Sequence, residues 1–395
     1  MQNKSFLDFK SRAQDIVQTN IIETEPLLLS HQWSNLQQTI EDIRQKVKQA
    51  GLWAPHLPED IGGQGLTVSQ LGQLSAILGQ SPLGHVCFGC QAPDAGNAEL
   101  LHLYADERVK KQFLIPLASG AIRSCFAMTE PAMAGSNPTR LGASAELKDG
   151  HWHINGHKWF TTGADGADFA IIMAVTEPEA AKHQQASMII VPTDTPGYSL
   201  ERNISVMGSE GDGYFSHGEV KFSDVKVPEH NLLGQRGDGF LMAQQRLGPG
   251  RIQHCMRWIG IARRCFDIMC RHVNQRQITD TQTLAQQPVM QVKIAESYAA
   301  IEAAQHLIQA TAERIDNEGY AAARHDISMI KFHTAQMLQQ VMNHAIQALG
   351  GLGVTDDTVL SFFYREERAA RIYDGPDEVH QLSLAKQLLA QYKSR

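Results

Sequence analysis

The chain has 395 residues, of which 43% are hydrophobic and 19% charged, with 35 basic against 42 acidic side chains and a formal net charge of −7. This composition suits two to four domains of ~100–200 residues and excludes an intrinsically disordered chain. It also lacks the basic excess of a nucleic-acid binder, and no apolar run reaches the ~18–20 residues of a membrane-spanning helix.

The first residues, Met1-Gln2-Asn3-Lys4-Ser5-Phe6, do not follow the basic-then-apolar order of a signal peptide, so the cytoplasm is the expected compartment. From Ser5 to about Leu117 the sequence predicts mostly helix, with Leu71, Leu74, Ile77 and Leu78 at helical spacing. Pro55, Pro58, Gly62 and Gly63 mark a turn-rich connection inside that region. The 6 cysteines are too few for a disulfide scaffold, and Cys87-x-x-Cys90 has no second pair or histidine cluster to complete a zinc site.

Between about Ile122 and Gly234 the period shifts to two. Ala145 to Ile154 alternates around Asp149-Gly150, a hairpin signal, and Asn155-Gly156 predicts a further turn before Trp159. Apolar runs at Phe169–Val175 and Met188–Val191 and alternation through Val220, Phe222, Val225 and Val227 complete an antiparallel β domain, a barrel or a sandwich. From Gly239 onward helices return. Ile294, Tyr298, Ile301, Gln305, Ile308, Ala312 and Ile315 predict a heptad-like seam, Met329 to Leu349 repeats it, and the two would pack as a bundle.

Several stretches carry chemistry. Cys125 to Asn137 contains Met128-Thr129-Glu130-Pro131 and Gly135-Ser136, a hydroxyl and a small loop whose backbone N–H groups could cradle phosphate or carbonyl oxygens; a plain strand-to-loop connection is the bland alternative. Lys158-Trp159-Phe160-Thr161-Thr162-Gly163 sets aromatics beside two hydroxyls at a strand end. Gln347-Ala-Leu-Gly350-Gly351-Leu-Gly353 follows a long helix, where one glycine serves as an ordinary cap and three suggest close backbone approach to a ligand. Arg365, Arg368 and Arg371, with Glu366 and Glu367 between them, predict a solvated charged helix face. In Tyr373-Asp374-Gly375-Pro376-Asp377-Glu378-Val379-His380 the three carboxylates could bind a metal, supply a base, or cap the next helix with Pro376 at its first position.

Taken in order, these motifs resemble the acyl-CoA dehydrogenase family over roughly residues 30 to 390. Ala92 to Asn97, the segment Leu247-Gly-Pro-Gly-Arg251-Ile-Gln-His-Cys-Met-Arg257 and the Gly-Pro-Asp-Glu-Val-His ending resemble its long-chain branch with an Asp base. The resemblance implies an α+β fold: an N-terminal helical domain (1–121), a central antiparallel β domain (122–236) and a C-terminal helical bundle (237–395). It implies FAD as cofactor, lined by Phe126, Met128, Thr129, Gly135 and Ser136 and flanked by Phe160, Thr161 and Thr162. Arg276, Gln347, Gly350 and Gly351 would serve the FAD of a neighbouring subunit, and Pro376 and Glu378 the adenosine end. Ser136, Arg251 and Gly375 would meet the acyl-CoA, and Asp374 would be the catalytic base. No metal is implied. The implied reaction, a step of fatty acid β-oxidation, makes a trans-2-enoyl-CoA and passes electrons to an electron-transfer flavoprotein, in a homo-oligomer expected to be a tetramer.

The sequence departs from the family pattern at three places. Asp374 replaces the commoner Glu, Ile278-Thr279 follows Arg276-Gln277 where most relatives carry Phe-Gly, and Asn137 replaces Asp. Two other readings stay open: a flavin oxidase or monooxygenase on the same scaffold acting on a small non-CoA substrate, and a flavin-free relative kept for assembly.

Overall fold

A computed structural model of the chain describes residues 2–393. Its N-terminal third is helical, with α1 (Gln2–Ile16), α2 (Trp33–Gln49), α3 (Val68–Leu78) and α4 (Asp94–Tyr104). Eight strands follow: β1 (Ser124–Ala127), β2 (Ser144–Lys148), β3 (His151–Thr162), β4 (Phe169–Val175), β5 (Ala186–Pro192), β6 (Tyr198–Asn203), β7 (His217–Pro228) and β8 (Leu232–Leu233). The remainder is helical again, with α5 (Gly239–Gln275), α6 (Pro288–Glu318), α7 (Arg324–Leu349), α8 (Val359–Glu367) and α9 (Asp377–Ala390). This is the helical, β, helical order expected. Among the described residues no helix is long and apolar enough to cross a membrane.

The chain forms two units, one holding the residues through Pro55, Leu66–Phe88 and those from Gly248 on, the other His56–Gly65 and Gly89–Leu247. In the second unit the sheet path is β6-β7-β3-β2-β4-β5-β8, with β1 attached to β4. Most pairings are antiparallel, but β1 and β2 both run parallel to β4. A strand covered on both faces reads as a continuous apolar run, and the buried stretch from Phe169 to Ala174 is of that kind. The core beneath the sheet gathers Trp152, Ile154, Ile172, Ile189, Val191, Val220 and Phe222. Each such buried side chain contributes roughly 1.5–3 kcal/mol of hydrophobic stabilisation.

The expected hairpin forms, with β2 and β3 antiparallel around Asp149-Gly150. The expected turn at Asn155-Gly156 does not. Strand β3 runs through it with a register shift against β7 between Ile154 and Gly156. The glycine answers to packing: a Cβ there would stand 2.6 Å from Ala143 Cβ. Asn-Gly is a turn signal only where the neighbouring strand leaves room for the chain to reverse.

In the first unit α6 packs against α7 and α3. The Asp316 carboxylate on α6 accepts from the backbone N–H groups of Val68 (2.7 Å) and Ser69 (3.0 Å), so one helix caps the start of another. The buried stripe of α6 runs through Ser297, Ile301, Ala304, Ile308, Thr311, Ala312 and Ile315. Tyr298, expected in that seam, is instead 52% exposed. A heptad reading drifts relative to the 3.6-residue period of a straight helix, and at its first turn the small Ser297 faces inward.

Candidate functional site

Within the first unit, the candidate site is built around a strained turn. Helix α8 ends at Glu367, a 3-10 turn covers Arg368–Arg371, and α9 begins at Asp377, with Pro376 just ahead of its first residue. Between them Asp374 has φ +53° and Gly375 φ +99°. Glycine takes that region freely, and aspartate is among the few side-chain-bearing residues that tolerate it at modest cost.

Three helices hold this backbone in place. Arg251 Nε on α5 donates to Asp374 O at 3.0 Å. His380 Nε2 on α9 is 3.1 Å from the same oxygen; a carbonyl only accepts, so that nitrogen carries the ring proton. Lys331 Nζ on α7, wholly buried, donates to Ala370 O at 2.6 Å and Gly375 O at 3.0 Å. Burial pushes the His380 imidazole down to about 4, and the Arg251 guanidinium adds to the effect, so His380 is neutral at ordinary pH.

The Asp374 carboxylate is about four-fifths buried, and its Oδ2 lies 3.3 Å from His254 Nε2. Tyr373, one residue earlier, donates its hydroxyl to Glu367 Oε2 at 3.0 Å. Glu367 was expected on a solvated charged face and is instead 4% exposed, paired with Arg257 at 2.9 Å and bonded by the Trp258 indole N–H at 2.8 Å. Its neighbours in the sequence are charged, but its helix turns it inward toward α5. Asp377 is 1% exposed and holds Arg371 Nε at 2.7 Å and Gln336 Nε2 at 3.2 Å. Glu378 is exposed at the start of α9. Of the three carboxylates in this segment, only Asp374 is partly accessible, with donors on its own carbonyl and a histidine beside its carboxylate. Asp377 is spent on structure, and its side chain caps nothing.

In the second unit the residues expected to hold the cofactor cluster at one end of the sheet. Strand β1 ends at Ala127 and opens into a loop whose Met128, Thr129 and Gly135 line a hollow. The loop is pinned from beneath. Lys158 Nζ reaches Glu130 Oε1 (2.7 Å), Met128 O (3.0 Å) and Met173 O (2.8 Å), while Glu130 accepts from the N–H groups of Gly142 (2.6 Å) and Ala143 (2.9 Å). Thr129 O accepts from Trp159 N at 3.0 Å, tying the loop to β3. Gly135 and Ser136 are exposed at its tip. The Phe126 ring lies under the Arg246 guanidinium at 4.2 Å.

Along β3, Phe160 has φ +47° and is 47% exposed, its ring 5.0 Å from Trp159 and 6.4 Å from His217. Thr162 Oγ1 bonds His217 Nδ1 at 2.9 Å. Thr161 is wholly buried, paired with Gly218 of β7 and with its carbonyl accepting from Ala164 N at 3.2 Å. An exposed aromatic face beside a hydroxyl and a loop rich in backbone donors suits a planar ring system carrying a phosphate tail.

Arg276, Gln347, Gly350 and Gly351 are exposed at the C-terminal ends of α5 and α7, and the cap residue Gly350, at φ +61° and ψ −135°, takes a positive-φ conformation outside the left-handed helical region, one that glycine adopts readily. Ile278 lies 45% exposed on a small hairpin beside Arg276. Thus the structure gathers Asp374, Gly375 and Arg251 into one cluster and Phe126, Met128, Thr129, Phe160 and Thr162 at one end of the sheet. The sequence reading did not find His254, Lys331, His380, Arg257 or Glu367. His254 had a usable signal: it stands one helical turn after Gly250 and Arg251, on the same face of α5. Lys331 had none, because a lysine in an amphipathic helix ordinarily reads as exposed.

Models of the acyl-CoA dehydrogenase N-terminal, middle and C-terminal domains match residues 7–121, 125–225 and 237–389. The chain is 42% identical over 382 residues to acyl-CoA dehydrogenase family member 10 of Mus musculus, which covers 94% of this chain and 36% of that protein. It is 41% identical over 358 residues to FadE2 of Mycobacterium tuberculosis, named as an acyl-CoA dehydrogenase, covering 90% and 86% respectively. The chain thus spans about a third of the mouse relative's length and most of the mycobacterial one's. A solved structure described as an acyl-CoA dehydrogenase from Mycobacterium abscessus superposes with a TM-score of 0.93 at 34% identity, covering 98% of both chains.

Proposed function

This chain belongs to the acyl-CoA dehydrogenase family, and from that premise we propose that it catalyses the α,β-dehydrogenation of an acyl-CoA thioester to a trans-2-enoyl-CoA. The observation that carries the reading is Asp374: a carboxylate on a left-handed turn whose own carbonyl is fixed by Arg251 and His380. FAD, which fits the aromatic face and donor-rich loop at the end of the sheet, supplies the two-electron acceptor for the hydride leaving Cβ.

Asp374 takes the α-proton at its carboxylate. The α-proton of a thioester is weakly acidic, and abstraction needs donors at the carbonyl oxygen as enolate charge develops. The backbone N–H of Asp374 supplies one of them. Because Arg251, His380 and Lys331 fix the turn before substrate arrives, that donor and the base are presented together at no reorganisation cost. Arg251 and Gly375 contact the substrate around the reacting carbons, and Ser136 lies by the thioester arm. Phe126, Met128, Thr129, Gly135, Phe160 and Thr162 hold the flavin, with Thr161 buried in the strand between the last two, and Pro376 and Glu378 hold the adenosine end.

Arg276, Gln347, Gly350 and Gly351 serve the FAD of an adjacent subunit, which makes the protein a homo-oligomer, and a tetramer in this reading. The division into 1–121, 122–236 and 237–395 accompanies it. An electron-transfer flavoprotein accepts the electrons, the reaction belongs to fatty acid β-oxidation, and the compartment is the cytoplasm, in keeping with six free thiols.

The test is anaerobic mixing of the purified flavoprotein with a panel of acyl-CoA esters. Bleaching of the flavin by one of them, slowed by at least ~10²-fold in Asp374→Asn, supports the reading. Bleaching at the wild-type rate in that variant overturns it.

A further inference from the structure

His254 is absent from the chemistry so far, yet its ring lies between two charged systems. On one side its Nε2 is 3.3 Å from Asp374 Oδ2. On the other, Arg257 Nη2 approaches its Nδ1 at 3.5 Å. A guanidinium has donors only and stays protonated, so Nδ1 must be the acceptor. The ring proton is therefore on Nε2, the nitrogen 3.3 Å from the Asp374 carboxylate.

Arg257 is not free to swing away. Its guanidinium pairs with Glu367 at 2.9 Å and donates to the Tyr373 hydroxyl at 3.2 Å. Glu367 is in turn bonded by the Trp258 indole and the Tyr373 hydroxyl. The imidazole itself is sandwiched, 4.8 Å from the Tyr373 ring and stacked on Trp258 at 6.0 Å. A carboxylate, a guanidinium, an imidazole and a second carboxylate thus form one chain in which Arg257 donates both ways, to Glu367 and to His254 Nδ1, leaving Nε2 of the imidazole beside Asp374.

We propose that His254 is the positioning residue for the Asp374 base: its Nε2–H, fixed on that nitrogen by the Arg257–Glu367 pair, donates to Oδ2, holds the carboxylate in one orientation and stabilises its ionised form. The inference rests on Asp374 being the base. A donor to an ionised carboxylate favours the charged state, so the enzyme keeps its base ready at lower pH than a carboxylate buried without one. Other groups face the pair as well. Arg251 on α5 and Lys331 on α7 act on the Asp374 charge, while the Cys255 thiol on α5, pushed up to about 12 chiefly by burial, stays neutral. From α9, His380 meets the backbone oxygen and, being neutral above about 4, adds no titration near neutrality. The two arginines stay charged throughout.

The experiment follows flavin reduction by the fastest acyl-CoA of the panel across pH 5 to 9 in wild type, His254→Leu, His254→Gln and Asp374→Asn holoenzymes, with FAD content and thermal midpoint measured on each. Losing a hydrogen bond to a charged group should move the acid limb of the rate profile up by ~1–2 pH units in His254→Leu. His254→Gln, whose amide can donate to the same oxygen, should restore most of that shift. A His254→Leu enzyme slower at every pH with an unmoved limb would mean packing alone and would overturn the inference. Wild-type reduction in Asp374→Asn would instead remove the base reading beneath it; an inactive Asp374→Asn beside an unmoved His254→Leu limb removes only the role of His254. Should His254→Leu fail to fold, imidazole nitrogen shifts in the wild-type protein decide: Nε2 protonated and Nδ1 bare supports the chain, and the reverse tautomer breaks it.

Discussion

Lys158 Nζ stands 2.7 Å from Glu130 Oε1, with the lysine side chain wholly buried and the glutamate 4% exposed. All three ammonium hydrogens are used, since Met128 O and Met173 O accept the other two. Burial alone would lift the Glu130 carboxyl, but the Lys158 ammonium and the N–H groups of Ala143 and Gly142 outweigh it and hold it below the usual carboxylate range. A buried pair is weak evidence of net stability, yet removing one partner leaves an uncompensated charge. Lys158→Met should therefore lower the unfolding free energy by ~3–5 kcal/mol and speed the loss of FAD, because the Met128 carbonyl at the mouth of the loop loses its donor. Pairing it with Glu130→Leu should recover much of the stability. Denaturant titration and flavin absorbance after dialysis measure both, and an unchanged midpoint in Lys158→Met would contradict the argument.

His380 gives a pH dependence with a definite sign. Its folded pKa is lowered from 6.5 to about 4, chiefly by burial. Between those values the unfolded chain binds a proton that the folded chain refuses, so stability falls as pH drops from 6.5 toward 4 and is restored as pH rises. The size is on the order of 3 kcal/mol across the whole window. His380→Gln keeps a donor for Asp374 O but cannot titrate, and its stability should fall more gently over that range. Unfolding free energies of the two proteins at several pH values give the difference, and parallel curves would rule out His380 as the source.

Much of this was legible from residues alone, and the failures have physical causes. The apolar run Phe169–Val175 announced a strand, and Asp149-Gly150 announced the β2–β3 hairpin. Asn155-Gly156 carries the same local signal but is overruled by Ala143, a neighbour distant in sequence. The motif around Asp374 was visible as a cluster of carboxylates, and the family resemblance singled out Asp374, whereas the packing that sets it apart from Asp377 and Glu378 was not visible. That packing depends on Lys331, Arg251 and His380, brought from three other helices. Likewise Glu367 reads as one charge among many until α8 turns it against Arg257 and Trp258.

The separation of the neighbouring carboxylates predicts opposite phenotypes. Asp377 is buried and bonded to Arg371 and Gln336, so Asp377→Asn turns a charge-assisted pair into a neutral contact. It should lower stability by ~1.5–3 kcal/mol while folded protein reduces its flavin at close to the wild-type rate. Asp374→Asn should do the reverse: a small change in midpoint and a large loss of rate. Thermal unfolding and rapid anaerobic mixing on the same preparations separate the two. Slow reduction in Asp377→Asn at full FAD content would move the base away from Asp374.

Gly250 offers the sharpest separation of stability from activity. It lies inside α5 immediately after Pro249, and a Cβ built on it would stand 3.3 Å from Asp374 Oδ2. Helix propensity alone favours alanine there by about 1 kcal/mol. The added methyl group must nonetheless displace something, and the Asp374 backbone cannot retreat because its carbonyl is held by Arg251 and His380. The carboxylate must therefore give by a few tenths of an ångström, which disturbs its 3.3 Å contact with His254. A displacement of ~1 Å at a reacting group can cost up to ~10²-fold in rate. Gly250→Ala should thus keep or slightly raise the thermal midpoint, retain full FAD, and reduce flavin at least ~10-fold more slowly, a portion of that ceiling. Gly250→Ser, with a hydroxyl able to donate to the carboxylate, should lose less. Equal reduction rates in wild type and Gly250→Ala would show that the carboxylate has room to move and that the glycine does not answer to the base.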